Sequence, residues 1–466
     1  MTLNNKSFSD SRSLNDKIKA LIGLPSKIGE PNCNKGLRLI RPCYLLSKHE
    51  ILTDSGQCSF FMANPSESLG FKTKADLHTW QNSLQTSIKN TSVTAKNTSS
   101  EDIPLHSGWV GVYPYPNQVT SLDQIDSNLA EFHYYPWVIC LEHSTGIFYL
   151  LGSPDEAAEQ AFQTLQSQPD HNAPDNNNAL DPNYFKSDKF APSWSKADYD
   201  KAFYKIQDYL EAGDCYQVNL TQPHKAHYKG RALDTLLPLY TSLNPSFGCY
   251  FEGQDFQLVS ISPERLMSVD SSGKLEAKPI KGTIKRSSDP KQDQILIDEL
   301  LSSKKNQAEN LMIVDLLRND LSMSAEPNSV KVEKLFDLET HPNVHHLVST
   351  ISAQLKTNLN PAQAIENVFP GGSITGAPKK RAMEIIEELE AQPRSLYCGS
   401  FGYYSDSGNA DFNILIRSLE FRDNTITCWG GGGITIDSDC DEEYEESLTK
   451  VRRIMDVVEN TGGASH

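Results

Sequence analysis

The chain has 466 residues, a length that predicts about three domain-sized units. Its hydrophobic residues (38%) and charged residues (22%) occur at fractions that are ordinary for a globular protein. Because 60 Asp and Glu outnumber 43 Lys and Arg, the formal net charge is −17, which argues against nucleic acid or an acidic membrane as a partner, since both attract basic surfaces.

Cysteine spacing and the first residues predict the cellular location. The nine cysteines are scattered and form no Cys-x-x-Cys pair, which favours reduced thiols over disulfides or a zinc site. Residues 1–24 lack the basic start and the apolar run of a signal peptide. The sequence has no run of about 18 apolar residues, so no transmembrane helix is predicted. We therefore expect a cytoplasmic protein.

Short strands are predicted for the first third of the chain, because runs of β-branched and aromatic residues alternate with turn residues. These runs are 43–46, 59–63, 137–141 and 146–151. Residues 86–101 are rich in Ser, Thr and Asn and predict a surface loop. Residues 166–189 contain three Pro and five Asn and predict a loop or linker. We therefore divide the chain into an N-terminal region (1–165), this linker, and a catalytic module (190–460).

Helices and strands mix after the linker. Ser195 and Asp198 form a capping box that predicts a helix from Ala197 to about Ala212. Further helices are predicted over 289–317, 379–390 and 441–458, and strands over 248–251, 257–261, 277–280, 402–404, 413–416, 425–429 and 433–436. Because strands cluster apart from helices, the pattern predicts an α+β fold with antiparallel sheets, and not a doubly wound parallel sheet.

Two glycine-rich segments are candidate anion sites. Pro370 to Lys379 leads into a predicted helix, whose first amide groups favour anions, but the segment lacks the Lys-Ser/Thr of a phosphate-binding loop. Gly430–Gly433 precedes a predicted strand. Each segment, taken alone, is explained more simply as a tight turn.

Several charged side chains are candidates for catalysis or metal binding. Glu443, Glu446 and Lys450 share one helix face at spacings of three and four residues, although acids at a helix start also favour the helix dipole. Glu309 lies on the polar edge of a predicted core helix and is a further candidate metal carboxylate. Glu264 is a candidate general acid or base. Lys281 would become a nucleophile if burial or a nearby cation removed its proton.

These motifs occur in the order typical of the chorismate-utilising enzymes, a family that the chain resembles from about residue 195 to 455. The motifs are Ser262-Pro-Glu-Arg, Pro279-Ile-Lys-Gly-Thr, Glu309-Asn-Leu-Met-Ile-Val-Asp-Leu, His345-His-Leu-Val-Ser, Gly372-Ser-Ile-Thr-Gly-Ala-Pro-Lys, Arg417-Ser, and Gly431-Gly-Gly-Ile followed by Glu-Tyr-Glu-Glu-Ser. The resemblance implies the fold of anthranilate synthase component I, in which two antiparallel sheets form a core sandwich surrounded by helices. Residues 1–165 resemble the family only loosely.

Position 281 separates branches of this family. Anthranilate-forming members have Ala there, whereas this chain has Lys281 and resembles the members that place nitrogen on ring carbon 4. The resemblance implies that chorismate and ammonia are converted to 4-amino-4-deoxychorismate, a precursor of 4-aminobenzoate and folate. It assigns to Lys281 a covalent bond with ring carbon 2, and to Glu264 the general acid that assists loss of the hydroxyl group.

The resemblance also implies a cofactor and binding residues. It assigns Mg²⁺ to Glu309 and Glu446, with Glu443 as a supporting carboxylate. The substrate-binding positions that it implies are Gly282, Thr283, His346, Tyr397, Arg417, Gly431, Gly432, Gly433 and Lys450. It further implies a tryptophan pocket formed by Ser47, Pro245 and Phe247, although the Ser47 spacing departs from the family pattern by one residue. Chorismate is a dianion, which suits a site with several cations.

The partners follow from what the sequence lacks. No cysteine-centred glutaminase motif occurs, so the resemblance implies that a separate glutamine amidotransferase subunit supplies ammonia. The lyase that forms 4-aminobenzoate is expected to be separate too. Two alternatives stay open: anthranilate synthase or another chorismate-utilising enzyme, and an inactive chorismate-binding paralogue. The intact residues Glu264, Lys281, Glu309 and Glu446 argue against the inactive paralogue.

Overall fold

The computed structural model describes residues 6–9, 13–22, 40–47, 58–71, 73–91, 103–116, 131–167, 185–340 and 344–461. Two sheets, one of 13 strands and one of 10 strands, form its framework. The strands are β1 (Lys6–Ser9), β2 (Cys43–Ser47), β3 (Cys58–Met62), β4 (Glu67–Gly70), β5 (Gly108–Tyr113), β6 (Glu131–Tyr135), β7 (Trp137–Glu142), β8 (Ile147–Gly152), β9 (Lys186–Ser187), β10 (Ala191–Pro192), β11 (Gln217–Lys229), β12 (Phe247–Glu252), β13 (Gln257–Ser262), β14 (Arg265–Val269), β15 (Lys274–Ala277), β16 (Ile280–Lys285), β17 (Lys331–Thr340), β18 (Val344–Gln354), β19 (Gly376–Ala377), β20 (Ser400–Ser405), β21 (Ala410–Asn413), β22 (Ser418–Arg422) and β23 (Thr425–Ile434).

The helices lie around these sheets, and several begin at a polar capping residue. They are α1 (Leu14–Ile22), α2 (Lys74–Thr91), α3 (Glu156–Ser167), α4 (Lys196–Glu211), α5 (Leu236–Leu243), α6 (Pro290–Ser302), α7 (Lys304–Ser324), α8 (Pro361–Val368), α9 (Lys379–Leu389) and α10 (Cys440–Asn460). The predicted capping box of Ser195 and Asp198 is confirmed at the start of α4. Among the described residues, no helix is long and apolar enough to span a membrane.

The strand order joins the two halves of the chain. The larger sheet runs β1-β8-β7-β3-β2-β12-β13-β22-β23-β11-β10, and β9 and β19 also pair with β11. The smaller sheet runs β16-β18-β15-β14-β21-β20-β5-β6-β4, and β17 also pairs with β18. All pairings among the described strands are antiparallel. The predicted α+β class with two antiparallel sheets is therefore confirmed.

The core has an inner layer between the sheets and outer layers beneath the helices. Phe60 and Phe251 of the larger sheet pack in one buried cluster with Val112 and Phe401 of the smaller sheet. A second cluster lies where helices α1, α3 and α10 cover the larger sheet. Burying apolar side chains on both faces of a sheet is the arrangement expected of a sandwich surrounded by helices.

Several predicted boundaries were wrong. Residues 86–91 belong to α2 and not to a loop, while residues 92–101 lie outside the described residues. The predicted block 289–317 is two helices separated at Ser303. The predicted strand 277–280 spans the gap between β15 and β16, and most of the predicted strand 413–416 lies between β21 and β22. Most of the predicted linker, residues 168–184, is also outside the described part of the chain.

Candidate active site

The candidate nucleophile, Lys281, lies at a β-bulge in strand β16. The pairing of β16 with β18 shifts register between Ile280 and Thr283, so Lys281 and Gly282 lie in the irregular segment. Gly282 has a φ of +89°, a conformation that favours glycine. Bulges redirect side chains near functional sites. At the next regular pair, the Thr283 hydroxyl lies 2.8 Å from His346 Nδ1.

Lys281 lies in a largely buried environment. Its side chain is 15% exposed, and its Nζ lies 3.9 Å from Glu309 Oε2. Burial lowers the pKa of Lys281 below its ordinary value, although the negative charge of Glu309 opposes this effect. A lowered pKa increases the fraction of neutral amine, which is the nucleophilic form.

Glu264 lies between β13 and β14 and is fixed on several sides. Its backbone N–H donates to Ser262 Oγ (3.2 Å), and its carbonyl oxygen accepts from Ile414 N–H (3.0 Å). The Ser373 hydroxyl donates to Glu264 Oε1 at 2.9 Å. Burial raises the pKa of Glu264 to about 7, although Ser373 opposes the rise. A carboxyl group with this pKa can hold and release a proton near neutral pH.

Each predicted metal carboxylate lies near a lysine. Besides the Glu309–Lys281 contact, Glu443 Oε1 lies 3.9 Å from Lys305 Nζ, and Glu446 Oε1 lies 2.7 Å from Lys450 Nζ. Burial raises the pKa of Glu443 and the negative charge of Glu446 adds to the rise. Burial would also raise the pKa of Glu446, but Lys450 and Lys305 lower it overall. Glu443 and Glu446 therefore repel each other, and nearby lysines partly neutralise all three carboxylates.

The donor atoms suit a hard cation. In the described part of the chain, no three His, Cys, Asp or Glu side chains are grouped closely enough to hold a metal as they stand. Mg²⁺, however, needs only one or two carboxylates in addition to ligand and water oxygens. A cation would also relieve the repulsion between Glu443 and Glu446. The residues present therefore fit a magnesium ion.

Cationic residues line a cleft beside this cluster. Its walls include the predicted substrate contacts His346, Arg417 and Lys450, together with Arg453. Lys450 Nζ also donates to the carbonyl oxygen of Gly431 at 3.0 Å, which ties α10 to the glycine-rich strand β23. An anionic ligand is favoured in a cleft with several positive charges.

The glycine run and Tyr397 form the neighbouring wall. Gly431, Gly432 and Gly433 lie within β23 and not in a turn. A Cβ atom at Gly432 would lie 2.9 Å from Glu443 Oε2, so glycine lets this carboxylate approach the strand. Tyr397 is buried, and its ring stacks on Trp429 at 5.6 Å between centroids. Tyr397 therefore packs against the strand that carries the three glycines.

The predicted tryptophan-pocket residues lie together. Ser47 and Phe247 are paired across β2 and β12, and the Tyr240 hydroxyl donates to the Ser47 carbonyl oxygen at 3.1 Å. Pro245 lines the same cleft as His346 and Arg417. Tryptophan binding by these residues stays a prediction.

Four polar residues at the site were missed from the sequence. Lys305 lies one turn before Glu309 on α7, and Arg453 lies one turn after Lys450 on α10, so helical spacing could have indicated both. Ser373 reaches Glu264 across 109 positions, and no local pattern reveals such a contact. Gln217 is buried, and neither polar atom of its side chain has a hydrogen-bond partner among the described residues.

Comparison with known proteins gives a consistent result. Residues 48–456 match the sequence profile of the chorismate binding enzymes. The chain is 40% identical to aminodeoxychorismate synthase component 1 of Escherichia coli (strain K12) over 78% of this chain and 79% of that protein. It is 42% identical to the chloroplastic aminodeoxychorismate synthase of Arabidopsis thaliana over 58% of this chain and 30% of that protein. The structure of anthranilate synthase component I from Streptococcus pneumoniae superposes with a TM-score of 0.69 at 25% identity, covering 88% of this chain and 95% of that one.

Proposed function

The chain belongs to the family of chorismate-binding enzymes, and we propose that it converts chorismate and ammonia to 4-amino-4-deoxychorismate. The observation that carries this proposal is the largely buried Lys281, which lies at a β-bulge beside Glu309. This reaction supplies the precursor of 4-aminobenzoate and folate. The same reaction type is named for the Escherichia coli relative.

The first half of the proposed reaction forms a covalent bond to Lys281. Its neutral amine adds to ring carbon 2, the two double bonds of the ring shift, and the bond between carbon 4 and the hydroxyl oxygen breaks. Glu264 gives its proton to the departing oxygen, which leaves as water. The raised pKa of Glu264, about 7, suits this role, because about half of the carboxyl groups hold their proton at neutral pH.

The second half returns Lys281 to its starting state. Ammonia adds to ring carbon 4, the double bonds shift back, and the bond between carbon 2 and the Lys281 nitrogen breaks. The new ammonium group gives a proton to the Glu264 carboxylate, which restores the acid. The overall change is chorismate plus ammonia to 4-amino-4-deoxychorismate plus water.

We assign Glu309 and Glu446 as Mg²⁺ ligands, with Glu443 as a supporting carboxylate. Bound Mg²⁺ would offset the negative charge of the substrate carboxylate. His346, Arg417 and Lys450 would hold the anionic substrate from the cleft wall. The remaining proposed contacts are Gly282, Thr283, Tyr397, Gly431, Gly432 and Gly433.

The decisive experiment combines the purified protein with chorismate, Mg²⁺ and ammonium, with and without aminodeoxychorismate lyase. We expect 4-aminobenzoate to form only when the lyase is present. Lys281→Ala should reduce this rate at least 100-fold, because the covalent step is lost, whereas chorismate binding should remain. Lys278→Ala, which changes a lysine three residues away, is the matched control and should retain most of the activity.

The alternatives give different products in the same assay. An anthranilate synthase would form fluorescent anthranilate directly, without the lyase. An inactive chorismate-binding paralogue would bind chorismate and form no product at saturating ammonium. Full activity of Lys281→Ala would rule out the covalent role while leaving the overall reaction in place.

We also propose the cellular context. Ammonia would come from a separate glutamine amidotransferase subunit, and a separate lyase would act on the product. The protein would work in the cytoplasm, in agreement with its scattered cysteines. Residues 1–165 would contribute the tryptophan pocket at Ser47, completed by Pro245 and Phe247, and residues 190–460 would contribute the catalytic module.

A further inference from the structure

Three large side chains are exposed on one surface of the molecule. Tyr204 of α4 is 61% exposed, Tyr216 just before β11 is 71% exposed, and Ile436 just after β23 is 53% exposed. Tyrosines in such positions are typical of the central residues of protein interfaces. We call these three residues the Tyr216 patch.

Hydrogen bonds and strand pairing place the three residues on the same part of the surface. One turn before Tyr204, Asp200 accepts from the Cys440 thiol at 3.2 Å. One turn after it, the Gln207 amide donates to the Thr435 carbonyl oxygen at 2.9 Å. Tyr204 therefore lies beside segment 435–440, which contains Ile436. Val218 pairs with Ile434 as the last pair of the β11–β23 ladder, so Tyr216, two residues before Val218, and Ile436, two residues after Ile434, lie beyond the same end of this strand pair.

The Tyr216 patch adjoins the candidate active site. The turn that contains Ile436 also contains Ser438, whose hydroxyl donates to Glu443 Oε1 at 2.7 Å. Next to Tyr216, the side chain of Gln217 is fully buried and has no hydrogen-bond partner in the part of the chain that the structure describes. A Cβ atom at Gly433 would lie 2.9 Å from Gln217 Cδ, so this amide packs directly against the glycine run. The patch and the site are therefore connected by only a few residues.

The charges around the Tyr216 patch indicate what kind of protein could bind there. Asp437, Asp439 and Glu442 are exposed on the side of Ile436 that leads into α10. On the side of Tyr204, Lys201 and Lys205 are exposed beside the acids Asp198 and Asp208 of the same helix. An acidic rim on the side of Ile436 favours a partner whose facing rim carries Lys and Arg at that side. The patch is thus suited to a protein with a basic surface beside an apolar contact.

We propose that the Tyr216 patch is the docking surface for the subunit that supplies ammonia, an inference that rests on the proposed function. Ammonia is mostly protonated at neutral pH, so the nucleophilic form must be released close to the site that consumes it. The Escherichia coli relative is named component 1, and only 30% of the Arabidopsis relative matches this chain. A second component is therefore expected, and the patch lies where it could release ammonia beside Gln217.

The test compares two nitrogen sources. Ile436→Lys places a positive charge in the proposed contact, and Tyr216→Ala removes a proposed central side chain. Each variant is assayed with ammonium alone, and then with glutamine plus the purified glutamine amidotransferase subunit of the same organism. We expect ammonium-dependent activity within twofold of the unmodified protein. Glutamine-dependent activity should fall at least tenfold when the amidotransferase is limiting. The apparent dissociation constant of the complex between this chain and the amidotransferase should rise by a matching factor.

Ile295→Lys is the matched control, because Ile295 lies on α6 and is similarly exposed at 56%. It should leave both activities unchanged. The proposal is overturned if Ile436→Lys and Tyr216→Ala retain glutamine-dependent activity. It is also overturned if they convert a dimer of this chain to a monomer in sedimentation experiments without weakening amidotransferase binding. Absence of ammonium-dependent turnover in the unmodified protein would instead contradict the proposed function.

Discussion

The protonation of Glu264 sets the pH range of the proposed reaction. Burial raises its pKa to about 7, so the carboxyl group holds its proton at lower pH and loses it as the pH rises through this value. A general acid works only while protonated. The rate should therefore fall on the alkaline side as Glu264 ionises.

Ser373→Ala should move this alkaline limb to higher pH. The Ser373 hydroxyl donates to Glu264 Oε1 and lowers its pKa, so removing the hydroxyl raises the pKa. A hydrogen bond of about 1 kcal/mol corresponds to a shift of somewhat less than one pH unit. The measurement is kcat against pH with saturating ammonium. Ser373→Thr retains a hydroxyl group and is the control, so an equal shift in both variants would contradict this positioning role.

The sequence predicted candidate side chains for the site but not the contacts that they make. The candidate acids Glu264, Glu309 and Glu446 were predicted from motifs, because the resemblance extends in order over much of the chain. Their partners were not, since Ser373 and Glu264 meet only when distant segments pack. The sequence predicted the charge of the site, while the pairing of each carboxylate with a particular lysine required the structure.

At the scale of elements, the break between α6 and α7 orients Glu309. The sequence predicted one helical block because apolar residues continue through 289–317, and Ser303 gave little sign of a boundary. In the structure, Ser303 ends α6 and caps α7, with its hydroxyl accepting from Asn306 N–H at 3.3 Å. Glu309, which lies on α7, is thereby placed close to Lys281.

Ser303→Ala should lower the free energy of unfolding by about 1 kcal/mol, the usual cost of removing a helix N-cap. Urea denaturation followed by circular dichroism measures this change. The neighbouring Ser302→Ala is the control, because Ser302 lies within α6 and donates to the Glu299 carbonyl oxygen without capping a helix. Equal destabilisation by both changes would argue against a capping role for Ser303.

The glycine run shows why another element boundary was missed. A glycine run is explained most simply as a tight turn, so Gly430–Gly433 was predicted to lead into a strand over 433–436. In the structure these glycines lie inside β23. Glycine is needed at these positions because α10 and β11 pack too closely against the strand to leave room for a side chain. A Cβ atom at Gly430 would lie 2.5 Å from the Ser447 carbonyl oxygen, and one at Gly431 would lie 2.4 Å from the side chain of Thr221. Local sequence patterns do not contain this tertiary constraint.

At the scale of the whole molecule, each sheet uses strands from both sides of residues 168–184. In the larger sheet, β2 pairs with β12, and in the smaller sheet, β5 pairs with β20. The inner core likewise combines Val112 from the first part with Phe401 from the second. The length alone predicted about three units, but strand pairing of this kind makes independent folding of the parts unfavourable.

We therefore expect one cooperative thermal unfolding transition for the described parts together. A fragment of residues 185–466 should lack fixed tertiary structure by near-ultraviolet circular dichroism, because β12 and β20 would each lose a neighbouring strand and expose apolar side chains. Coexpressing residues 1–167 with this fragment is the control, since it restores the missing strands without joining the chain. Recovery of ammonium-dependent activity only in the coexpressed pair would support a shared core. Cooperative unfolding of the 185–466 fragment alone, at the Tm of the intact protein, would instead show that the second part folds independently.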